Sequence, residues 1–485
     1  MLQSPKFTLL PRKDYTMKRL LLTLVACLSV GTGFGQVSQY DPYIALEIDL
    51  KARTNFLRIA PVDLGQDEKG FVILFSENSN IDPYEGNFTF PRHRPWLAVA
   101  TDKGEVLWRK ELPENTVPGL WFIPVLGFDL DKKGHDDIFY VANVGPRPFA
   151  PGNFRLIQAD VRTGEIIAEH PWLRITHNQA HSYKWRFFLI GGYVNDEPVL
   201  VGAQGTYRDM RLHAWNSGMQ TRWQIYYPDD FDGPRGSHDT AILDMDKTGV
   251  MQFMYGERCI SFDDGRELFV LDRDVWYDHS DTVLPFYDKE NDTWNFFTTR
   301  EKGDDGRVPR SVTFNRNGRH LWAVDSMRGH WHYGVVGDLG PNGERVAAAA
   351  RYPFRTEDVP ARTPIGNWHD AFTGEILDIP LPLTGRVLDF NGDGISEFFA
   401  RGELLNNKGE RIMSVRGSVV NTFKLLDLPG EQLTVFLPDG RIQIWADRNA
   451  NETPEMQKRF ADPIYKINVK HSAVGYNDRF PILNY

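Results

Sequence analysis

Short runs in which apolar and polar residues alternate cover most of the chain. Eight times, such a run leads through a turn of two to four residues ending in Gly into a second run, as in ATDKGEVLW, SFDDGRELF and FLPDGRIQIW. Alternation with a period of two is typical of half-buried strands, and the Gly supplies the positive φ of a tight hairpin turn. The turn glycines are Gly104, Gly164, Gly218, Gly265, Gly318, Gly374, Gly409 and Gly440.

A second signature stands ahead of most of these hairpins. An apolar residue and Asp precede a polar turn and an apolar strand, as at Asp129 (GFDLDKKGHDDIFYV), Asp244 (ILDMDKTGVMQFMY) and Asp389 (LDFNGDGISEFFA). Together the two signatures give four strands per unit, in eight units. Repeats of roughly 40 to 65 residues without helical periodicity are typical of β-propellers. We therefore expect an all-β fold, an eight-bladed β-propeller that forms one domain over residues 36–485.

Residues 1–35 have the pattern of a secretory signal peptide. Met17 and two basic residues precede the apolar run LLLTLVACLSV, and small residues follow up to Gln36. This pattern predicts a start at Met17 and a secreted or periplasmic protein. In an alternative interpretation LVAC is a lipobox, and Cys27 carries a lipid. No other run approaches the roughly 18 apolar residues of a membrane helix, so no transmembrane segment is expected.

Composition and charge narrow the class of ligand. Of the 485 residues, 41% are hydrophobic and 13% aromatic, as in folded globular proteins. Removal of residues 1–35 leaves Cys259 as the single cysteine, which excludes an internal disulfide. It also removes five Lys or Arg and one Asp, leaving 50 basic and 64 acidic side chains and a net charge of −14. This charge excludes non-specific binding of nucleic acid. We expect a monomer.

Two histidines and two carboxylates lie on short predicted strands between positions 238 and 301. His238 precedes one strand, His279 and Asp281 are one residue apart, and Glu301 ends the apolar run NFFTTRE. Because the ends of neighbouring strands meet, these side chains could converge on one divalent cation. In the alternative interpretation, they are hydrogen-bonded residues at the rim of a sheet.

One Asp-rich turn has the spacing of a calcium loop. Oxygen-bearing side chains at Asp389, Asn391, Asp393 and Glu397 surround the bend at Gly394. Calcium loops place their ligands at these offsets. An Asx turn that opens a strand is the alternative. In the related turn that starts at Asp129, Lys133 stands at the third ligand position, so that turn is expected to have lost its ion.

Polar and aromatic residues cluster in segments between the repeats, which converge at one face of a propeller. Cationic side chains can pair with carboxylates, and aromatic faces can stack on sugar rings. This combination favours an acidic polysaccharide as the partner. The expected substrate-binding residues are His181, Tyr183, Tyr207, Arg208 and Trp331.

Several stretches resemble the rhamnogalacturonan lyases of polysaccharide lyase family 11. They are WRFFLIGGYVNDEPVLVGAQGTYRDMRLHAW (185–215), SHDTAILDMD, YGERCISFDDG, YDHSDTVLPFYD and the C-terminal DPIYKINVKHSAVGYNDRFPILNY. The resemblance implies an eight-bladed propeller, several calcium ions and an endolytic β-elimination. It places the family's central metal site on His238, His279, Asp281 and Glu301. The family's substrate-binding residues would fall near Tyr333, Arg416 and Tyr476.

These features lead to one functional hypothesis. We expect a secreted polysaccharide lyase that cleaves a uronic-acid-containing, rhamnose-rich polymer by metal-assisted β-elimination, with Ca²⁺ or another divalent cation such as Mn²⁺. A cation neutralises the uronate carboxylate, and a base with a pKa near neutrality removes the C5 proton. His330 or His332 would be that base, and Tyr476 would donate a proton to the leaving oxygen. Tyr333 and Arg416 complete the expected catalytic set.

Three alternatives belong to other classes or substrates. A non-catalytic propeller would bind polysaccharide through the same face without cleaving it. A lyase of related fold could act on another rhamnose and uronate polymer, such as ulvan. A quinoprotein dehydrogenase also has eight blades, and ATDKGEVLW resembles its tryptophan-docking repeat. Such enzymes are expected to carry a vicinal cysteine pair, which the single mature Cys259 excludes.

Overall fold

Eight four-stranded antiparallel sheets make up the fold. The computed structural model describes residues 39–78, 93–119, 121–174, 185–301, 308–324, 331–352 and 363–475. In seven of the eight sheets the strands pair in chain order. First strands of neighbouring blades contact one another, which places them at the centre of the ring. The eight-bladed β-propeller expected from the hairpin repeats is confirmed.

The strands are numbered in chain order. β1 (Pro42–Asp49) is the outer strand of blade 8. Blade 1 comprises β2 (Phe56–Gly65), β3 (Glu68–Ser76), β4 (Trp96–Thr101) and β5 (Val106–Glu111). Blade 2 comprises β6 (Val125–Phe128), β7 (Asp137–Asn143), β8 (Phe154–Asp160) and β9 (Ile166–Pro171). Blade 3 comprises β10 (Phe187–Val194), β11 (Glu197–Gln204), β12 (Met210–Trp215) and β13 (Thr221–Tyr227). Blade 4 comprises β14 (Ile242–Leu243), β15 (Gln252–Met254), β16 (Arg258–Ser261) and β17 (Glu267–Val270).

The remaining blades follow the same plan. Blade 5 comprises β18 (Ser280–Asp288), β19 (Thr293–Arg300), β20 (Ser311–Asn315) and β21 (His320–Val324). Blade 6 comprises β22 (Trp331–Asp338), β23 (Arg345–Arg351), β24 (Ile365–Asp370) and β25 (Ile376–Leu377). Blade 7 comprises β26 (Arg386–Leu388), β27 (Glu397–Ala400), β28 (Glu403–Leu405) and β29 (Arg411–Ser414). Blade 8 comprises β30 (Ser418–Asn421), β31 (Leu433–Phe436), β32 (Arg441–Asp447) and, as its outer strand, β1.

Blade 8 closes the ring by combining distant parts of the chain. β1 pairs antiparallel with β32, with Ile48 opposite Ile442. Seven of the predicted Gly hairpins join the third and fourth strands of a blade. The hairpin at Gly440 instead joins the second and third strands, β31 and β32, because β1 supplies the fourth.

Tryptophans on the outer strands of blades 1, 3 and 5 tie each of these blades to the one that follows. Trp108 of β5 donates from Nε1 to the Val161 carbonyl oxygen at 2.8 Å and covers the turn at Gly164. A Cβ at Gly164 would lie 2.7 Å from the Trp108 ring, and the φ of +67° there also favours glycine. The same arrangement joins Trp223 to the turn at Gly265 and Trp322 to the turn at Gly374. Some turn glycines therefore serve packing between blades as well as the turn.

Two short helices follow the last strand, which the alternating pattern did not predict. α1 (Pro454–Ala461) and α2 (Pro463–Lys470) are capped at their N-termini by Thr453 and Asp462, and a 3₁₀ turn (His471–Ala473) comes next. A further 3₁₀ turn spans Pro151–Asn153. Within the part of the chain that the structure describes, neither these helices nor any other is long and apolar enough to cross a membrane.

The segment from α2 to Ala473 occupies the centre of the ring. The Asn468 amide exchanges two hydrogen bonds with the Ile242 backbone, at 2.9 Å each, and Ser472 Oγ donates to the Ile59 carbonyl oxygen. His471 Nε2 accepts from the Gly191 N–H at 2.8 Å. These contacts reach the inner strands of blades 1, 3 and 4, so the chain itself closes the central channel.

Strand direction divides the ring into two ends. The antiparallel order places the connections between blades, and those between second and third strands, at one end, which we call the upper end. The connections between first and second strands, including residues 129–136 and 389–396, lie at the opposite lower end. The histidine cluster and the Asp-rich turns therefore lie at opposite ends.

Candidate functional site

Four side chains converge at the upper end. His238, His279, Asp281 and Glu301 each offer one ligand atom, and these atoms all lie within 4.8 Å of one another. Three of the four are buried to 6% exposure or less, and Glu301 is 9% exposed. Over the described residues, this is the only group of three or more His, Cys, Asp or Glu with such geometry. The cluster could hold a metal ion.

Strand pairing brings the four residues together. Ser237 forms a parallel bridge with Ser280, which sets His238 beside His279. Ser280 of β18 pairs antiparallel with Arg300 of β19, which brings Glu301 opposite His279, the residue that precedes Ser280. Asp281 is the extra residue of a β-bulge, because the register moves from Ser280 opposite Arg300 to Thr282 opposite Thr299. A bulge re-aims a side chain, and bulges are common beside functional sites.

The donor atoms suit a cation with nitrogen and oxygen ligands. Asp281 Oδ1 lies 3.5 Å from His279 Nε2 and 3.6 Å from His238 Nδ1. Glu301 Oε2 contacts His279 Nε2 directly. His279 Nδ1 lies 2.8 Å from Asp278 Oδ1 and donates to it, so Nε2 is the nitrogen that faces the cluster. A carboxylate behind a histidine in this way fixes the tautomer that binds metal.

The electrostatics of the four-residue cluster favour one positive charge among its side chains. Burial lowers the pKa of His238 to about 4, so its imidazole is neutral near pH 7. Burial also opposes the ionisation of Asp281, but the neighbouring imidazoles outweigh it, and the pKa of this carboxyl is lowered. For His279, burial lowers the pKa, yet Tyr207 and three carboxylates raise it well above its ordinary value. The charge that this arrangement draws in can be a proton or a metal ion.

Aromatic rings and a buried guanidinium enclose the two histidines. Trp121 meets His238 edge-on with 5.3 Å between ring centroids, and Tyr207 meets His279 edge-on at 4.2 Å. The Arg186 guanidinium lies 4.0 Å from the centre of the Trp121 ring and 4.6 Å from that of Tyr207. Burial raises the pKa of Tyr207 to about 12. Sequence reasoning missed Trp121 and Arg186, although Arg186 belongs to the WRFF stretch quoted above.

His332 is attached to the cluster through one of its carboxylates. His332 Nδ1 lies 2.8 Å from Asp281 Oδ2, and 39% of the His332 side chain is exposed. Like Asp281, His332 is a bulge residue, between the pairs Trp331 with Arg351 and Tyr333 with Ala350. Matching bulges at the starts of β18 and β22 therefore bring Asp281 and His332 into contact.

A pair of tyrosines extends the site outward from His332. The Tyr333 hydroxyl donates to the Tyr352 hydroxyl at 3.2 Å, and their ring centroids are 5.5 Å apart. Tyr352, which is 39% exposed, was not singled out from the sequence. Tyr207 is half-buried, and Arg208 and Arg416 are exposed in connections at the same upper end.

One expected substrate contact needs correction. Trp331 is 1% exposed and packs with Leu284, Phe286 and Phe297 in the core between blades 5 and 6. The bulge at His332 interrupts the alternation, so Trp331 points inward while both residues after it are partly exposed. Four other expected site residues lie outside the described residues: His181, Tyr183, His330 and Tyr476.

The Asp389 turn lies at the lower end. Asp389 accepts hydrogen bonds from the N–H groups of Gly392 and Gly394, at 2.8 and 3.2 Å, as in an Asx turn. Glu397 accepts from the Phe390 N–H and the Tyr40 hydroxyl. Burial and the carboxylate of Glu431 raise the pKa of Asp389 to about 7, and burial also raises that of Glu397. Calcium in this turn stays a prediction.

The sequence matches no protein-family model and no curated protein, whereas the fold has similar solved structures. They include the Bacillus licheniformis rhamnogalacturonan lyase of polysaccharide lyase family 11, with a TM-score of 0.73 and 15% identity over 91% of this chain and 81% of that one. The exotype rhamnogalacturonan lyase YesX has a TM-score of 0.70 and 16% identity over 91% and 83%. Rhamnogalacturonan lyase YesW has a TM-score of 0.69 and 15% identity over 91% and 81%. The resemblance expected from the sequence is thereby confirmed, and this chain shares the eight-bladed propeller fold of these rhamnogalacturonan lyases.

Proposed function

We propose that the protein is a polysaccharide lyase that cleaves a uronic-acid-containing, rhamnose-rich polymer by metal-assisted β-elimination. The observation that carries this proposal is the convergence of His238, His279, Asp281 and Glu301 at the upper end, with His332 bound to Asp281. The similarity of the fold to rhamnogalacturonan lyases supports the class of reaction.

The cluster would hold a divalent cation through two imidazoles and two carboxylates. When bound, the cation supplies a positive charge that withdraws electron density from a uronate carboxylate and makes the C5 proton more acidic. Imidazole nitrogens suit transition ions, and carboxylate oxygens suit Mn²⁺ and Ca²⁺, whereas all-oxygen turns suit Ca²⁺. We therefore propose Mn²⁺ or Ca²⁺ at the cluster and Ca²⁺ at the turn that runs from Asp389 to Glu397.

His332 is the residue that we propose as the base. Its Nδ1–H donates to Asp281, which leaves Nε2 to accept the C5 proton. The electrons of the C5–H bond form the C4=C5 double bond as the bond from C4 to the leaving oxygen breaks. That oxygen requires a proton, and Tyr476 stays our proposed donor. Arg208 and Arg416 would pair with substrate carboxylates, and Tyr333 would stack on a sugar ring with Tyr352 beside it.

The test is the ultraviolet absorbance of the 4,5-unsaturated uronosyl product. Purified protein without residues 1–35 is incubated with rhamnogalacturonan, pectate and ulvan, each with and without a chelator. A rise on one polymer that the chelator abolishes is the expected result and identifies the substrate. No rise on any polymer, from protein that still unfolds cooperatively, would contradict the proposal.

A non-catalytic polysaccharide-binding propeller is the second candidate. The aromatic pair of Tyr333 and Tyr352, at the same upper end as the exposed Arg416, favours it, because stacking and charge pairing give affinity without cleavage. Binding of a polymer without any unsaturated product would support this candidate. We also propose that residues 1–35 direct export and that the mature ring is a monomer. Mass spectrometry of protein recovered from the periplasm and medium, and light scattering, test these two points.

A further inference from the structure

A fully buried carboxylate lies behind the metal cluster. Glu257, in the connection between β15 and β16, has 0% exposure. It accepts hydrogen bonds from Arg300 Nε at 2.8 Å and Arg300 Nη2 at 2.5 Å, which is a bidentate pair. It also accepts from Ser280 Oγ at 2.5 Å and from Thr298 Oγ1 at 3.1 Å. Four donors on two strands of blade 5 therefore meet one side chain of blade 4.

The partners of Glu257 are chain neighbours of the proposed ligands. Ser280 stands between His279 and Asp281, and Arg300 immediately precedes Glu301. Consecutive Cα atoms are about 3.8 Å apart, so fixing Ser280 and Arg300 also fixes the backbone that carries three of the four ligands. The bulge at Asp281 makes this support necessary, because an extra residue has no opposite partner in the strand pairing.

Arg300 is held on its other side as well. Its Nη2 donates to Asp272 Oδ2 at 2.7 Å, and its guanidinium lies 5.0 Å from the centre of the Trp276 ring. Asp272 in turn contacts His320 Nε2 at 3.0 Å. The guanidinium is therefore fixed between two carboxylates and a ring, and Glu257 connects it to Ser280.

We propose that Glu257 is a positioning residue of the metal centre. It holds Ser280 and Arg300 at a fixed separation and thereby keeps His279, Asp281 and Glu301 converged before a cation binds. This inference rests on the metal site of the proposed function but does not depend on the reaction or the substrate. Groups that orient metal ligands in this way typically contribute 10- to 100-fold to metal affinity, on the order found for other outer-shell partners.

The test measures the affinity of metal directly. Co²⁺ is titrated into the metal-free mature protein, and the visible absorption of Co²⁺ bound to imidazole, which oxygen-only sites do not produce, is followed. Glu257→Gln keeps the shape of the side chain but removes its charge. We expect it to weaken Co²⁺ binding by roughly 10- to 100-fold and to change the absorption spectrum. Ser280→Ala removes one hydrogen bond and leaves the buried ion pair intact, and it should weaken binding less but in the same direction.

Glu267→Gln is the matched control. Glu267 lies in the same blade and also accepts hydrogen bonds from a buried arginine, Arg258, and from Tyr227 and Arg273. None of these partners adjoins a proposed ligand in the chain. Arg258 follows Glu257, but it also donates to the carbonyl oxygens of Pro234 and Asp232, which keep it in place. This variant should therefore keep the wild-type Co²⁺ affinity and spectrum. Its thermal unfolding, compared with that of Glu257→Gln, measures the general cost of disturbing such a pair.

Each outcome has a separate meaning. Wild-type Co²⁺ affinity in a folded Glu257→Gln, or in Ser280→Ala where Glu257→Gln does not fold, would overturn the inference. Equal losses in Glu257→Gln and Glu267→Gln would also overturn it, because the effect would then be one of general stability. Absence of Co²⁺ binding in the wild type would overturn both this inference and the metal site. Metal binding without lyase activity would contradict the proposed function alone.

Discussion

Two turns at the lower end of the ring share one design but differ in how their charge is balanced. The turn of blade 2 has Asp129, Asp131, Lys133 and Asp137 where that of blade 7 has Asp389, Asn391, Asp393 and Glu397, at the same spacing. In both turns the first Asp accepts two backbone N–H groups. Asp129 accepts those of Lys133 and Gly134 at 2.9 and 2.8 Å, as Asp389 accepts those of its own turn.

The residue at the third ligand position separates the two turns. In blade 2, Lys133 Nζ lies 2.6 and 2.7 Å from the two carboxylate oxygens of Asp137, so an ammonium group stands beside the buried acid. In blade 7 this position holds Asp393, and burial raises the pKa of Glu397. One backbone design can thus be balanced from within the chain or can await a cation from solution. We propose that the histidine cluster at the upper end also takes its positive charge from a bound cation.

The largest expected effect is at the upper cluster. His279→Ala removes the imidazole between Asp281 and Glu301, and we expect the rate of unsaturated-product formation to fall by more than about 100-fold, since removal of even an outer-shell partner costs up to that much. Ultraviolet absorbance at saturating metal measures the rate. His213→Ala, which removes a histidine stacked on Trp215 in blade 3, should keep the wild-type rate. Equal rates in the two variants would place the chemistry elsewhere.

The second-largest effect is expected at the turn of blade 2, where Lys133 balances the charge of Asp137. Lys133→Met leaves Asp137, whose side chain is 2% exposed, without its ammonium partner. The free energy of unfolding should fall by about 2 kcal/mol, less than for a fully buried pair because Lys133 is 30% exposed and Gln158 still donates to Asp137. Urea unfolding measures it. Lys132→Met breaks only an exposed pair with Glu197 and should cost at most about 0.5 kcal/mol. Equal costs would remove the distinction between the turns.

Exchanging the residue at the third ligand position should make the turns of blades 2 and 7 exchange their response to Ca²⁺. At a Ca²⁺ concentration about ten times its Kd, the wild type should gain about 1.4 kcal/mol of stability from the blade 7 turn. Asp393→Lys should abolish this gain, because its ammonium can take the place of the ion. Lys133→Asp should create a new stabilisation by Ca²⁺ in blade 2. Urea unfolding with and without Ca²⁺ tests both, and a wild type indifferent to Ca²⁺ would contradict the assignment of an ion to blade 7.

The smallest effect concerns a buried group that is balanced by no opposite charge. Burial, with a smaller contribution from the charge of Lys470, lowers the pKa of His471 to about 4. The unfolded state then binds more protons than the folded state between pH 4 and about 6.5. Stability from this group is complete above about pH 6.5 and is lost as the pH falls, by about 1 kcal/mol from pH 6.5 to 5.5. His471→Gln should remove this part of the pH dependence, and an unchanged slope would argue against a neutral His471 in the channel.

How much the sequence predicted depends on the range of the interactions. The hairpins and the Asp-rich turns are local, so alternation and turn glycines were enough to predict eight blades. The ring closure by β1 and β32 and the contact of Glu257 with Arg300 join residues far apart in sequence, and no local pattern carries them. The two helices of eight residues each are too short to show clear periodicity.

The site was predicted unevenly for the same reason. His238, His279, Asp281 and Glu301 were correctly expected to meet, because each stands at a predicted strand end and the family resemblance points to the same four. Trp331 was placed on the wrong side, because a bulge that reverses the alternation leaves no mark in composition. Trp121 and Arg186 escaped notice because their contact joins residues far apart in the chain, and Tyr352 because its partner Tyr333 lies on a paired strand of the same blade.

The most direct test of a metal-assisted lyase is a titration of metal-free protein with Mn²⁺ while the unsaturated product is followed on the polymer that gives a signal. We predict no product without metal and a rate that rises in step with occupancy of the histidine-containing site by Mn²⁺. A full rate in metal-free protein, or a rate restored to His279→Ala by the same Mn²⁺, would contradict this prediction.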